Sequence, residues 1–239
     1  MLLDMRAHLY IVGTPIGNLE DITLRALRVL READTILCED TRVTRKLLAR
    51  FELTKPLMSY HAHSGDAKYD KIVALLEEGQ ALALVTDAGT PGISDPGARL
   101  VTTVRDYFGD DVAIEAVPGP SAVTAALSIA GVPADTFTFL GFPPHKKGRE
   151  TFFDTVVRVS GTVVFYESPH RIVKALTALT ARLDEGRTVA VVRELTKLHE
   201  EVTRGTSSDV LAYFVEHSNA VRGEFVVVIG PEHQRRQAV

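Results

Sequence analysis

The residues with most chemical potential stand in three short stretches where an apolar run ends directly in glycine and proline. These are Gly13-Thr14-Pro15-Ile16-Gly17-Asn18, Asp87-Ala88-Gly89-Thr90-Pro91-Gly92 and Pro118-Gly119-Pro120-Ser121. Glycine permits positive φ and close backbone approach to a ligand, and proline stiffens the loop. One such loop alone reads as an ordinary tight turn. Three at predicted strand ends argue for a shared binding edge, because parallel strands of an open α/β sheet present their carboxyl ends on one side, where ligands bind. The first loop is not G-x-G-x-x-G, and no G-x-x-x-x-G-K-[ST] occurs anywhere, which weakens dinucleotide and nucleoside-triphosphate readings. Asp87, at a strand end, can accept hydrogen bonds from a ribose or an ammonium group. The loops point to a neutral or cationic nucleoside-like ligand and go no further.

The elements that must position these loops follow from periodicity. Strands are expected at Leu9 to Val12, Thr35 to Leu37, Ala81 to Thr86 and Val112 to Val117. Between them, Asp21 is expected to cap a helix carrying Leu24, Leu27 and Leu30 on one face, with further helices at Arg45 to Phe51, Asp66 to Glu78 and Pro96 to Phe108. The pattern restarts after Pro118-Gly119-Pro120 with a helix to Ala130. Strands follow at Phe137 to Leu140, Thr162 to Phe165, Thr188 to Val192 and Phe225 to Ile229, with an edge strand at Glu200 to Thr203 and a helix at Asp209 to Glu216. Strands alternating with helices argue for mostly parallel α/β sheets, in two α/β domains spanning 1–117 and 118–239.

The totals bound the function classes. The chain has 239 residues, 45% hydrophobic and 24% charged, enough to bury a sizeable core. Its single cysteine, Cys38, excludes an intramolecular disulfide framework and fits a reducing compartment. No apolar stretch approaches the roughly 20 residues of a spanning helix, and no signal layout opens the chain. A cytoplasmic protein without a membrane partner is expected. Net charge is −4, so any RNA contact must come from a local basic surface. His61, His63 and Asp66 invite a metal reading but lack the ligand number and spacing of a zinc site, so no metal is expected.

Several segments together resemble a known family. Gly13 to Asp21, Glu39-Asp40-Thr41-Arg42, Thr86 to Gly97 and Pro118 to Ser121 are similar to the bacterial small-subunit (16S) rRNA cytidine 2′-O-methyltransferases of the tetrapyrrole methylase superfamily. The likeness continues, in order, through Gly141 to Pro144 with Lys146, Lys147 and Arg149, Glu167 to Ile172, Arg193 to Lys197 and Arg222 to Phe225. It implies two α/β domains of the tetrapyrrole methylase type with S-adenosylmethionine (SAM) in the interdomain cleft, and a homodimer. It also implies that Pro15, Asp87, Gly89, Thr90, Ser121 and Ala122 meet the cofactor, while Tyr166 and the turn around Leu195 and Glu224 close the site. Many members continue past the Gly223-Glu224-Phe225 strand into a small helical tail, and this sequence departs from them there.

Under that resemblance the acceptor is a ribose of 16S rRNA in the small ribosomal subunit, not DNA. A hydroxyl is a weak nucleophile, so a general base is sought. Asp40 is the first candidate and Glu39 the second, with Arg42 fixing a phosphate; the plainer alternative is that Asp40 or Thr41 caps the next helix. Glu194 and Lys197, or Glu167 beside His170 and Arg171, are alternatives that equally read as solvated pairs. Lys146, Lys147 and Arg149, with His145, form a basic turn suited to phosphates, which Arg25, Arg42 and Arg45 would extend. Two rival functions remain: C-methylation of a tetrapyrrole, and a non-catalytic SAM-binding ribosome-assembly factor.

Overall fold

The computed structural model describes residues 7–61, 64–95, 97–184 and 186–232. The chain divides into two compact units, Met1–Ser121 and Ala122–Val239.

The first unit runs β1 (Ala7–Val12), α1 (Leu24–Glu32), β2 (Thr35–Cys38), α2 (Thr41–Arg50), β3 (Leu57–Ser59), α3 (Asp66–Glu77), β4 (Ala81–Leu84), α4 (Gly97–Phe108) and β5 (Val112–Val117). Its five strands lie in the order β3-β2-β4-β1-β5, all parallel. Successive residues of each strand enter opposite layers, as a pleat requires. Leu37 of β2 and Leu82 and Leu84 of β4 pack with Ile72, Leu76, Leu100 and Val104 of α3 and α4. Ile36, Cys38 and Ala83 pack on the other face with Val29, Leu30 and Leu48 of α1 and α2. Both faces are covered, so these strands read as continuous apolar runs rather than as alternation.

The start of α1 differs from expectation. Thr23, not Asp21, caps it, accepting from the Ala26 N–H at 3.0 Å. Leu24 is thereby the first helical residue and 86% exposed, and the buried face is Ala26, Val29 and Leu30. The apolar stripe therefore runs through Ala26, Val29 and Leu30 at helical spacing, and of the three expected leucines only Leu30 is buried. The sequence reading had no counterpart for β3.

The second unit runs α5 (Ala122–Ala130), β6 (Phe137–Phe139), α6 (Arg149–Arg158), β7 (Thr162–Glu167), α7 (Ile172–Thr180), β8 (Val189–Arg193), β9 (Glu201–Gly205), α8 (Ser207–Glu216) and β10 (Phe225–Ile229). Here the expectation of a mostly parallel sheet fails. The order is β6-β7-β10-β8-β9, and only the β6–β7 pair is parallel. The final strand, β10, lies antiparallel between β7 and β8, each residue buried. A strand arriving last at the sheet centre is satisfied only if both neighbours already expose hydrogen-bonding edges, and the β7-α7-β8 crossover leaves that gap. The expected edge strand is present as β9. Among the described residues no helix is long and apolar enough to cross a membrane.

Candidate functional site

In the first unit the three glycine- and proline-rich loops are bonded into one platform. The Gly13 N–H donates to the Val117 carbonyl at 3.0 Å, extending the β1–β5 ladder past the strand ends. Thr14 and Gly89 exchange both backbone hydrogen bonds, at 2.9 and 3.1 Å, and the buried Thr14 hydroxyl donates to the Thr86 carbonyl at 3.0 Å. A Cβ on Gly13 would stand 2.8 Å from the Gly119 Cα, so this crossing admits only glycine. Thr90 Oγ1 reaches the Pro120 carbonyl at 3.3 Å. The second loop turns through positive φ at Gly89, Gly92 and Ser94, and Asp95 Oδ1 holds it by accepting from the Gly92 and Gly97 N–H groups at 2.6 and 2.8 Å. Pro15 and Gly89 lie buried within the platform while Asp87 and Ala88 are exposed on it.

Beside the platform, the ends of β2 and β4 gather carboxylates. Leu37 pairs with Leu84, so Glu39 and Asp87 leave the sheet at neighbouring positions, and the Asp40 N–H donates to Asp87 Oδ1 at 3.2 Å. Asp40 is the N-cap of α2, accepting from the Arg42 N–H at 2.8 Å, and its carboxylate also holds the Arg42 guanidinium at 2.6–3.1 Å. Those bonds to Arg42 draw the Asp40 pKa down to about 2. A carboxylate so well satisfied is a poor proton acceptor, and Arg42 is engaged with it rather than standing apart for a phosphate. Glu39 behaves in the opposite way. Although open to solvent on one side, its carboxyl is pushed up by partial desolvation and then by the Asp87 and Asp95 carboxylates, with His61 opposing. Cys38, buried behind them, is an inert thiol whose pKa desolvation raises. His63 lies outside the described residues, among which no cluster suited to a metal occurs.

The remaining expected cofactor residues belong to the second unit, apart from Ser121, which ends the first. Ala122 opens α5, and the half-buried Tyr166 of β7 accepts a hydrogen bond from the Val123 N–H in the same helix's first turn. Leu195 is buried in a turn whose Glu194 and Thr196 both take positive φ, of 52° and 62°. Glu194 pays for none of that conformation alone: it exchanges bonds with Glu224, the Glu194 N–H donating to the Glu224 carbonyl at 2.9 Å and the Glu224 N–H to Glu194 Oε1 at 3.1 Å. Lys197 Nζ bridges both carboxylates at 2.8 Å. Gly223 entered the sequence reading only as part of the Arg222 to Phe225 likeness; a Cβ there would stand 2.2 Å from the Glu194 side chain, so it is needed for this turn.

Of the expected RNA contacts, Lys146, Lys147 and Arg45 are exposed. Arg149 is not available. Its guanidinium pairs with the fully buried Glu167 carboxylate at 3.1 Å and reaches the Pro144 carbonyl at 3.5 Å. Its sequence neighbours made it look like part of a cationic run, but its place in the first turn of α6 turns it inward.

The family model described as Tetrapyrrole (Corrin/Porphyrin) Methylases matches residues 8–211. Ribosomal RNA small subunit methyltransferase I of Mesorhizobium japonicum is 44% identical over 224 residues, covering 93% of this chain and 75% of that protein. The protein of the same name from Thermotoga maritima is 42% identical, covering 92% of this chain and 97% of its own. Among solved structures, uroporphyrin-III C-methyltransferase from Thermus thermophilus complexed with S-adenyl homocysteine superposes with a TM-score of 0.62 at 20% identity, covering 94% of this chain and 97% of that one. At that identity the likeness speaks for the fold. The chain belongs to the tetrapyrrole (corrin/porphyrin) methylase family and, within it, to the ribosomal RNA small subunit methyltransferase I proteins.

Proposed function

We propose that this protein transfers the methyl group of SAM to the 2′-hydroxyl of a cytidine in 16S rRNA of the small ribosomal subunit, in the cytoplasm and as a homodimer. The carrying observation is identity above 40% across more than nine-tenths of the chain with relatives of the rRNA methyltransferase name. Tetrapyrrole-modifying enzymes share the fold at only 20% identity in the comparison above, so C-methylation of a tetrapyrrole has the weaker support.

The first unit's edge fits a cationic nucleoside. Its carboxylates, Glu39, Asp87 and Asp95, favour positive charge, and the glycine platform lets a ligand approach backbone donors and acceptors directly. Asp87 and the Gly89-Thr90 backbone would hold the ribose and ammonium groups, and by the family resemblance Tyr166, Leu195 and Glu224 are also assigned to the cofactor. SAM, when bound, supplies an electrophilic methyl carbon on a sulfonium. Glu39 is assigned as the base that takes the proton of the ribose hydroxyl, because like charges and desolvation raise its basicity while Asp40 is spent on Arg42 and the helix cap. Lys146 and Lys147 hold RNA phosphates. The test is incubation with labelled SAM and purified small subunits, followed by nuclease mapping. A ribose-methylated cytidine is expected, and cofactor binding without any methylation favours the assembly-factor reading instead. Sedimentation is expected to give a dimer, in which a second copy would cover apolar surface such as the exposed Leu24.

A further inference from the structure

The turn between β6 and α6 carries a feature that phosphate binding alone does not use. Phe142 is 52% exposed, an unusual position for a large aromatic, three residues before the exposed His145, Lys146 and Lys147. Its ring is not loose. It leans on Tyr166, with centroids 5.2 Å apart at 57°, and Tyr166 is backed in turn by Phe139 at 4.9 Å. Phe142 is therefore braced by tilted and edge-on aromatic contacts while about half of it stays open to water.

The backbone beneath it is fixed by a buried charge cluster. Glu167 has no exposed side-chain surface; it accepts from Arg149 at 3.1 Å, Arg171 at 2.9 Å and the Ser168 N–H at 2.8 Å. Arg171 then donates to the Pro143 carbonyl at 3.1 Å, and Arg149 reaches that of Pro144. The Tyr166 N–H donates to the Gly141 carbonyl at 2.8 Å, and the Arg149 N–H to that of Lys146 at 3.3 Å. Both ends and the middle of the turn are tied down. The next acid along the chain, Glu150, is paired with Arg182, and among the described residues no ion pair engages Lys146 or Lys147.

A rigid, half-exposed aromatic ring beside unpaired cations is the arrangement by which proteins take hold of single-stranded nucleic acid: a base stacks on the ring and the adjoining phosphates meet the cations. We propose that Phe142 is a stacking platform for an unpaired nucleobase of the RNA, with Lys146 and Lys147 holding the flanking phosphates and the Glu167 cluster keeping ring and cations in register. This rests on the rRNA reading above and narrows the substrate to RNA that presents an unstacked base at that turn.

The test measures binding of a single-stranded cytidine-containing oligoribonucleotide and of small ribosomal subunits to Phe142→Ala, Phe142→Leu and Phe142→Trp proteins. Alanine and leucine are each expected to weaken RNA binding about 5- to 100-fold, the range for losing one stacked base, while tryptophan binds as wild type and its fluorescence is quenched by RNA. SAM affinity and oligomeric state are expected to stay unchanged, and KM for the subunit to rise with kcat preserved. Leucine binding as well as phenylalanine, an unresponsive tryptophan, or a loss of SAM affinity or of dimerisation overturns the platform. Lys146→Ala with Lys147→Ala separates this from the broader reading. If that pair weakens RNA binding and Phe142→Ala does not, only the stacking role falls; if neither weakens it, the turn leaves the RNA-binding account altogether.

Discussion

Glu39 in the first unit and Glu167 in the second are the same residue type at the same kind of place, the end of a β-strand, and their surroundings make them opposites. Glu39 is open to water and flanked by Asp87 and Asp95; among the described residues no arginine forms an ion pair with it, and its proton affinity is raised. Glu167 is sealed from water and held by two arginines and a backbone N–H. Unfavourable surroundings leave a carboxylate reactive, whereas saturated ones make it a fixture. The contrast extends to the loops they serve: an anionic edge on a parallel sheet, and a cationic turn on a mixed one.

The sharpest way to break this comparison is kinetic. Glu39→Gln is expected to lower kcat about 100- to 10,000-fold, the usual worth of a general base, with SAM affinity unchanged by calorimetry. Activity in the wild type should fall as pH drops through a Glu39 pKa above the ordinary glutamate range. The stability sign is the reverse of the usual acid. Because the folded pKa is raised, the stabilising contribution is complete below the ordinary glutamate pKa and lost as pH rises through the raised one. At pH 7 the substitution should leave Tm unchanged or raise it by about 1–2 °C. A lower Tm together with preserved turnover would falsify the assignment. Glu167→Ala should do the opposite, costing about 3–5 kcal/mol in urea unfolding, because two partly buried guanidinium groups lose their counter-charge. A loss below 1 kcal/mol would mean that the cluster is not what fixes the turn.

How much of this could be read in advance depends on the kind of interaction. The parallel first sheet was legible because strands buried on both faces are continuous apolar runs, as in Ala81 to Leu84. The second sheet was not, since nothing local in Phe225-Val-Val-Val-Ile229 says whether its neighbours run with it or against it. Three elements escaped notice. β3 is only three residues, and valine, threonine and phenylalanine are scattered through α6, whereas α7 carried a readable period in Ile172, Ala175, Leu176 and Leu179 that was passed over. The convergence of the three loops was anticipated from their composition. The cap at Asp40 was legible as the plainer alternative, but its commitment to Arg42 and the inward turn of Arg149 were not, because both depend on where a helix starts.

Two predictions test how the first unit's edge is held. Asp87→Ala is expected to reduce SAM affinity about 10- to 100-fold, the range for a hydrogen-bonded charged group, with the far-UV spectrum retained. Full affinity would remove Asp87 from the cofactor site. Gly13→Ala should cost about 1–3 kcal/mol, because its methyl group would stand 2.8 Å from the Gly119 backbone and push the first and third loops apart. Unchanged stability would show that the loops separate easily, and the platform would then be no rigid element.

The smallest effect is expected at Asp40, where charge and hydrogen bonding can be separated. Asparagine caps helices about as well as aspartate, so Asp40→Asn should keep α2 intact and remove only the ion pair with Arg42. The Asp40 carboxylate is lowered to about 2 by its bonds to Arg42. A depressed folded pKa stabilises above the ordinary aspartate range, and that contribution is lost as pH falls through about 2. The variant should therefore melt slightly below wild type at pH 7 and converge with it in strong acid. Its kcat should stay within about tenfold of wild type, since a group already committed to a guanidinium has little proton affinity to lose. A drop in kcat as deep as that of Glu39→Gln, at intact SAM binding, would move the base back to Asp40 and require the Arg42 pair to open when RNA binds.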